Sequence, residues 1–138
     1  MARGSSPRIG IAAVALLVMG CSMGTDEAKQ GVAEFRARAA NQSFNEIYQA
    51  SGPEFRQAAT EEQFARFMTA LERKLGAWQS AADPGWHVNR GSGGHSVRLT
   101  YDSRFTKGAA GEQFAWRLDG GRPVLVGYQV NSPLLLTE

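Results

Sequence analysis

Val97-Arg98-Leu99-Thr100-Tyr101-Asp102-Ser103-Arg104-Phe105 decides the fold class of this chain. In an extended backbone Val97, Leu99, Tyr101 and Phe105 fall on one side and Arg98, Thr100, Asp102 and Arg104 on the other, the period-two pattern of a strand with one buried face. Phe114, Trp116 and Leu118 alternate in the same way with Gln113, Ala115 and Arg117, and Val124, Val126, Tyr128 and Val130 make a third such face. Trp78, together with Trp86, His87 and Val88, points to further and less regular strand structure. Between these runs lie Gly91-Ser92-Gly93-Gly94, Lys107-Gly108-Ala109-Ala110-Gly111 and Asp119-Gly120-Gly121-Arg122. Connections this short join antiparallel strands, because a parallel crossover needs about a dozen residues or more, usually a helix.

Upstream of Gly76 the period changes. Val32, Phe35 and Ala39, then Phe44, Ile47 and Tyr48, then Phe64, Phe67, Met68, Leu71 and Leu75 recur at helical spacing. Ser43 with Glu46 and Thr60 with Gln63 have the spacing of capping boxes, while Gly52-Pro53 and Gly76 stop helical segments. Glu61, Glu62, Arg66, Glu72, Arg73 and Lys74 lie largely off the apolar stripe of the third segment, as a solvated amphipathic helix requires. Helices followed by a meander predict an α+β fold, with N-terminal helices packed on a curved antiparallel sheet of about four strands.

The N-terminus has a different character. Arg3 and Arg8 precede an uncharged run from Ile9 to Met19, the layout of an export signal. The run is shorter than the roughly 20 apolar residues that cross a bilayer. Leu17-Val18-Met19-Gly20-Cys21 resembles the lipobox of bacterial lipoproteins. That resemblance implies cleavage after residue 20, lipidation of Cys21 and attachment to the cell envelope membrane through the acyl chains, with Ser22 implying the outer membrane, facing the periplasm, where the source has one. More than one acyl chain makes such an anchor stable. The expected organisation is a signal over residues 1–20, the lipidated cysteine and a polar tether over 21–30, and a single α+β domain over 31–138. The precursor carries 15 Lys and Arg against 13 Asp and Glu, so loss of Arg3 and Arg8 leaves the mature chain neutral. No stretch concentrates basic residues as a nucleic-acid surface would, and nucleic acid is not an expected partner.

The element order, with Phe44-Asn45-Glu46-Ile47-Tyr48, the Glu61 to Gly76 helix and the closing Gly127-Tyr128-Gln129-Val130, resembles the nuclear transport factor 2-like superfamily, in the form of uncharacterised bacterial envelope domains. This implies a cystatin-like cone whose curved sheet encloses a pocket, used in some members for isomerisation or dehydration by a carboxylate or His facing a Tyr.

The chain carries no comparably strong catalytic motif of its own. Asp102 falls in the polar phase of its strand and should face solvent. His87 alternates with Trp86 and Val88 and belongs on the opposite, rim face, with no activating partner nearby in sequence. His95 stands beside a glycine turn, and two separated histidines do not make a zinc set. The Gly91 to Gly94 cluster precedes a strand rather than a helix, which suits a hairpin rather than a phosphate loop. No cofactor or metal is expected. Tyr48, Trp78, His87, Tyr101, Trp116 and Tyr128 are the candidate pocket residues, although aromatic residues in core phase also serve simply as core.

Three functions stay open. The first is a non-enzymatic lipoprotein that binds a hydrophobic small ligand or an envelope protein partner. The second is a pocket enzyme of isomerase or dehydratase type; a carboxylate or His within hydrogen-bond reach of a Tyr deep in an open pocket would tell against the first reading, and a filled cavity would end this one. The third is an accessory subunit of an envelope complex, with the apolar tail Pro133-Leu134-Leu135-Leu136 as a contact or as a segment packed back on the domain's own core.

Overall fold

A computed structural model describes residues 23–136. The expected signal segment and Cys21 lie outside the described residues. Helix α1 spans Thr25–Ala40, α2 Phe44–Ala50, α3 Pro53–Ala58 and α4 Glu61–Leu75. They are followed by strands β1 (Trp78–Ala81), β2 (Gly85–Gly91), β3 (Gly94–Phe105), β4 (Gly108–Asp119) and β5 (Arg122–Asn131). The α+β order is the one that the patterning predicts.

Helix boundaries follow local chemistry. Thr60 and Gln63 form the reciprocal capping box, with Gln63 N donating to Thr60 Oγ1 at 3.1 Å and Thr60 N to Gln63 Oε1 at 2.9 Å. The α4 stripe of Phe64, Met68, Leu71 and Leu75 is buried. Gly76 ends α4 at φ +78, and an added Cβ there would collide with Thr106 Oγ1. Gly52-Pro53 both stops α2 and opens α3, because Pro suits the first helical turn, where its missing N–H is not needed. The pause between α2 and α3 is tied to the sheet by Gly52 N, which donates to Leu125 O at 2.8 Å.

The region expected to be a tether is in part folded. Helix α1 begins at Thr25, inside the 21–30 segment, and Ala28 is fully buried. Met23 O accepts from His95 Nε2 at 2.8 Å, which fixes the entry of the chain beside the β2–β3 hairpin.

The sheet is antiparallel throughout. Strand β3 pairs with β4 along one edge and with β1 and β2 at successive lengths of the other, and β5 lies beyond β4. The stretch from Trp78 to Val88 therefore makes two strands, giving five in all, and its irregularity comes from a register shift between Trp78 and Ser80. Leu99 faces Phe114, which faces Tyr128, so three strands present one apolar row to the helices. A bulge between Ala115 and Trp116 realigns β4 with β5 so that Leu125 stands opposite Trp116 and both are buried. Asp102 is exposed on the outer face, as its phase required. On that side Arg117 bridges to Asp119 at 2.9 Å and to Glu54 of α3.

The core joins Val32 and Phe35 of α1, Ile47 of α2 and the α4 stripe to Val97, Leu99, Phe114 and Trp116. Four aromatic contacts organise its centre: Phe114 meets Phe35 at 5.1 Å, Tyr128 at 4.9 Å and Tyr101 at 5.8 Å, and Phe35 meets Tyr128 at 4.8 Å. The tail forms a short 3-10 turn over Pro133–Leu136 in which Leu134 and Leu135 pack back against this core while Leu136 is 89% exposed. No helix among the described residues is long and apolar enough to cross a membrane.

Candidate functional site

Two charged residues stand where the apolar pattern calls for hydrocarbon. Arg36 follows Val32 by one helical turn and is drawn with Phe35 onto the sheet-facing side of α1, and Glu112 precedes Phe114 by two positions in β4 and shares its buried face. Their side chains are 12% and 1% exposed, and Arg36 Nη1 stands 3.0 Å from Glu112 Oε1. Removing two charges from water costs several kcal/mol per ion, offset only where geometry and further hydrogen bonds are good.

Here the surroundings supply them. Ser103 Oγ donates to Glu112 Oε1 at 2.5 Å, and Tyr128 Oη donates to Glu112 Oε2 at 2.5 Å. Trp78 Nε1 donates to Ser103 Oγ at 3.3 Å, extending the chain to the rim. The Arg36 guanidinium lies 4.1 Å from the Trp78 ring centroid, 5.3 Å from that of Tyr101 and 5.5 Å from that of Phe114. Its Nη2 has no hydrogen-bond acceptor among the described residues, and the negative faces of those rings compensate in part.

Burial pushes the Tyr128 hydroxyl well above its ordinary value of 10.0, with the charge of Glu112 and the hydrogen bond to it acting in the same direction and Arg36 opposing. Tyr101 is raised as well, by burial first, with Arg36 lowering it and Glu112 raising it.

A cavity of about 190 Å³ opens beside this cluster, between α1, α4 and the start of the sheet. Phe35, Ala39, Phe44, Met68, Leu71 and Trp78 supply its apolar lining, Arg36, Glu112 and Tyr128 its polar end, and Glu72 of α4 a further carboxylate. A dry cavity of about 150 Å³ holds benzene, so the space suits a small aromatic or a short aliphatic chain.

The expected pocket residues separate into four environments. Trp78 and Tyr128 line this cavity, and Tyr101 lies beside it against Arg36. Trp116 lines a second cavity, between α1, α2 and the β4–β5 turn. Tyr48 packs against Phe55 and Phe64 and gives its hydroxyl to the Ala59 carbonyl at 2.8 Å, tying α2 to the end of α3. His87 is exposed opposite Arg98 on the outer face. Hydrophobic patterning passes over Arg36, Ser103 and Glu112, because a charge or hydroxyl in core phase interrupts the signal it depends on. The one trace was phase itself: Glu112 extends the Phe114, Trp116, Leu118 alternation, and Ser103 fills the place between Tyr101 and Phe105.

Among the described residues no three His, Cys, Asp or Glu side chains gather as a metal-binding group. No family model and no curated protein matches the chain.

Proposed function

We propose that this protein is a membrane-anchored envelope lipoprotein, held through Cys21, whose domain binds a small apolar molecule in the cavity above Arg36, Glu112 and Tyr128 without transforming it. The carrying observation is the state of Glu112. A carboxylate offers about four lone-pair sites, and three of them already accept from Arg36, Ser103 and Tyr128. With three sites committed and 1% of its side chain exposed, Glu112 lacks the access that abstracting a substrate proton demands. The cluster acts as a rigid polar floor, and apart from Glu72, whose carboxylate accepts from Gln42 Nε2, the remaining lining is hydrocarbon and aromatic, the composition usual for small-molecule pockets.

The isomerase or dehydratase reading keeps one observation in its favour, the 2.5 Å contact between a carboxylate and a tyrosine beside an open cavity. The full chain in detergent micelles, titrated with toluene and followed by NMR, tests the binding reading. Saturable shifts confined to residues around Met68 and Leu71, abolished in Ala39→Leu, are expected. A chain that ignores toluene removes the binding reading, and one that chemically alters a co-purifying ligand, with loss of turnover in Glu112→Gln but retained binding, replaces it with the enzymatic one.

A further inference from the structure

The first cavity carries one charge that its polar end does not cancel. Arg36 and Glu112 neutralise each other across 3.0 Å, which leaves the carboxylate of Glu72, in the last turn of α4, as the remaining charged group of the lining. Glu72 makes no ion pair among the described residues. Its two oxygens accept from Gln42 Nε2 at 3.2 and 3.3 Å, and that donor is a neutral amide. Lys74 and Lys107 give their ammonium groups to the carbonyls of Leu135 and Arg73, and neither lines the cavity. Arg73 follows Glu72 by one position and so lies about 100° further round the helix.

The contact with Gln42 fixes where the carboxylate stands. Gln42 belongs to the α1–α2 connection, between Ala40 and Phe44, and both of those residues line the cavity. The Glu72 oxygens are therefore drawn from α4 across the mouth toward α1, rather than out along the helix surface. Gln42 holds this place at a left-handed φ of +57, the only positive φ outside glycine among the described residues.

Two further features favour a cation at the mouth. The C-terminal end of α4 reaches it through Gly76 and Ala77, and a helix C-terminus carries partial negative charge. Phe44 and Phe105 bring aromatic rings, whose faces attract cations.

We propose that the ligand of this cavity is a small organic amine, whose hydrocarbon body fills the space between Phe35, Met68 and Leu71 while its protonated nitrogen pairs with Glu72 at the mouth. This rests on the binding role proposed for the cavity and narrows its ligand to one chemical class. Binding is non-covalent and needs no co-reactant. A neutral ligand of the same shape gains the apolar contacts alone, whereas the amine adds a charge-assisted hydrogen bond, about twice as strong as a neutral one.

The test titrates the full chain, labelled with 15N in uncharged maltoside micelles, with benzylamine, benzyl alcohol and toluene. Benzylamine is expected to saturate the shifts around Met68 and Leu71 at about tenfold lower concentration than benzyl alcohol, the factor that about 1.4 kcal/mol represents. It should also move the side-chain amide signal of Gln42 as its nitrogen joins Glu72. Glu72→Gln keeps the shape of an exposed side chain and should bring benzylamine to the level of benzyl alcohol. Equal binding of benzylamine and benzyl alcohol to the unaltered chain, beside retained toluene binding, overturns the amine inference and leaves the binding role standing. A preference for benzylamine that survives in Glu72→Gln overturns it too, because the charge then resides elsewhere. Binding of none of the three removes the binding role, and this inference with it.

Discussion

Tyr128 and Glu112 belong to adjacent strands and stand diagonally across them: Phe114 is the register partner of Tyr128, and Glu112 lies two residues before Phe114 on the same face. That offset lets a tyrosine hydroxyl reach 2.5 Å to the carboxylate while both side chains keep their backbone pairing.

Because Glu112 is the only charge facing Arg36 at ion-pair distance among the described residues, breaking the pair on one side should be worse than removing both. Glu112→Leu alone leaves a buried guanidinium uncompensated and should lower unfolding free energy by about 3–5 kcal/mol. Adding Arg36→Met should restore most of that loss in urea titrations. A double variant as unstable as the single one would show that packing, rather than charge, dominates the cluster.

Tyr128→Phe deletes a hydrogen bond to a charged acceptor and should cost about 1.5–3 kcal/mol. Its effect also depends on pH, with a definite sign. The folded hydroxyl titrates above its unfolded value of 10.0, so its contribution is complete below pH 10 and is lost as pH rises from there through the folded value. Tyr101 acts in the same direction. Chemical unfolding measured across this alkaline range should show stability falling, and falling less steeply in Tyr128→Phe.

Thr60→Ala removes the side-chain acceptor for Gln63 N and should destabilise by about 1 kcal/mol in thermal or urea melts. Ser43, which resembles a cap in sequence, makes no side-chain cap hydrogen bond at α2, and Ser43→Ala should be nearly silent.

Gly76→Ala meets two obstacles together, a left-handed φ of +78 and the Thr106 hydroxyl, which accepts from Ala77 N at 3.1 Å. Its cost should exceed about 1 kcal/mol, more than an ordinary loop glycine substitution. An unchanged melting temperature would show that the α4–β1 junction relaxes freely.

Cys21→Ala should move the chain from the membrane to the soluble envelope fraction and remove the acyl mass seen by mass spectrometry. Persistence in the membrane fraction would overturn the lipid-anchor reading.

The class of the fold was legible because its strongest signals are repetitive. The alternation of Val97 to Phe105 and the stripe from Phe64 to Leu75 each bury one side, except that Phe67, read as part of the stripe, is 42% exposed. Less regular pieces escaped. Helix α3 is a single short turn and a half whose one buried anchor is Phe55, too brief to show a period. Strands β1 and β2 are largely exposed, so burial never imprinted an alternation on them. The polar floor of the cavity was invisible for a deeper reason. Its members come from α1, β3, β4 and β5, and what makes Glu112 tolerable is Arg36, 76 positions earlier in the chain and brought near only by packing.

The early start of α1 would set how far this protein can work from the lipid anchor proposed at Cys21. With Thr25 already helical and Met23 hydrogen-bonded to His95, only Cys21 and Ser22 would separate the proposed lipid from the folded body. Fully extended, two residues span about 7 Å at roughly 3.4 Å each. Such a leash is shorter than the domain it holds. Were Cys21 lipidated as proposed, the β2–β3 hairpin end, where Met23 meets His95, would be the part of the domain held nearest the membrane surface.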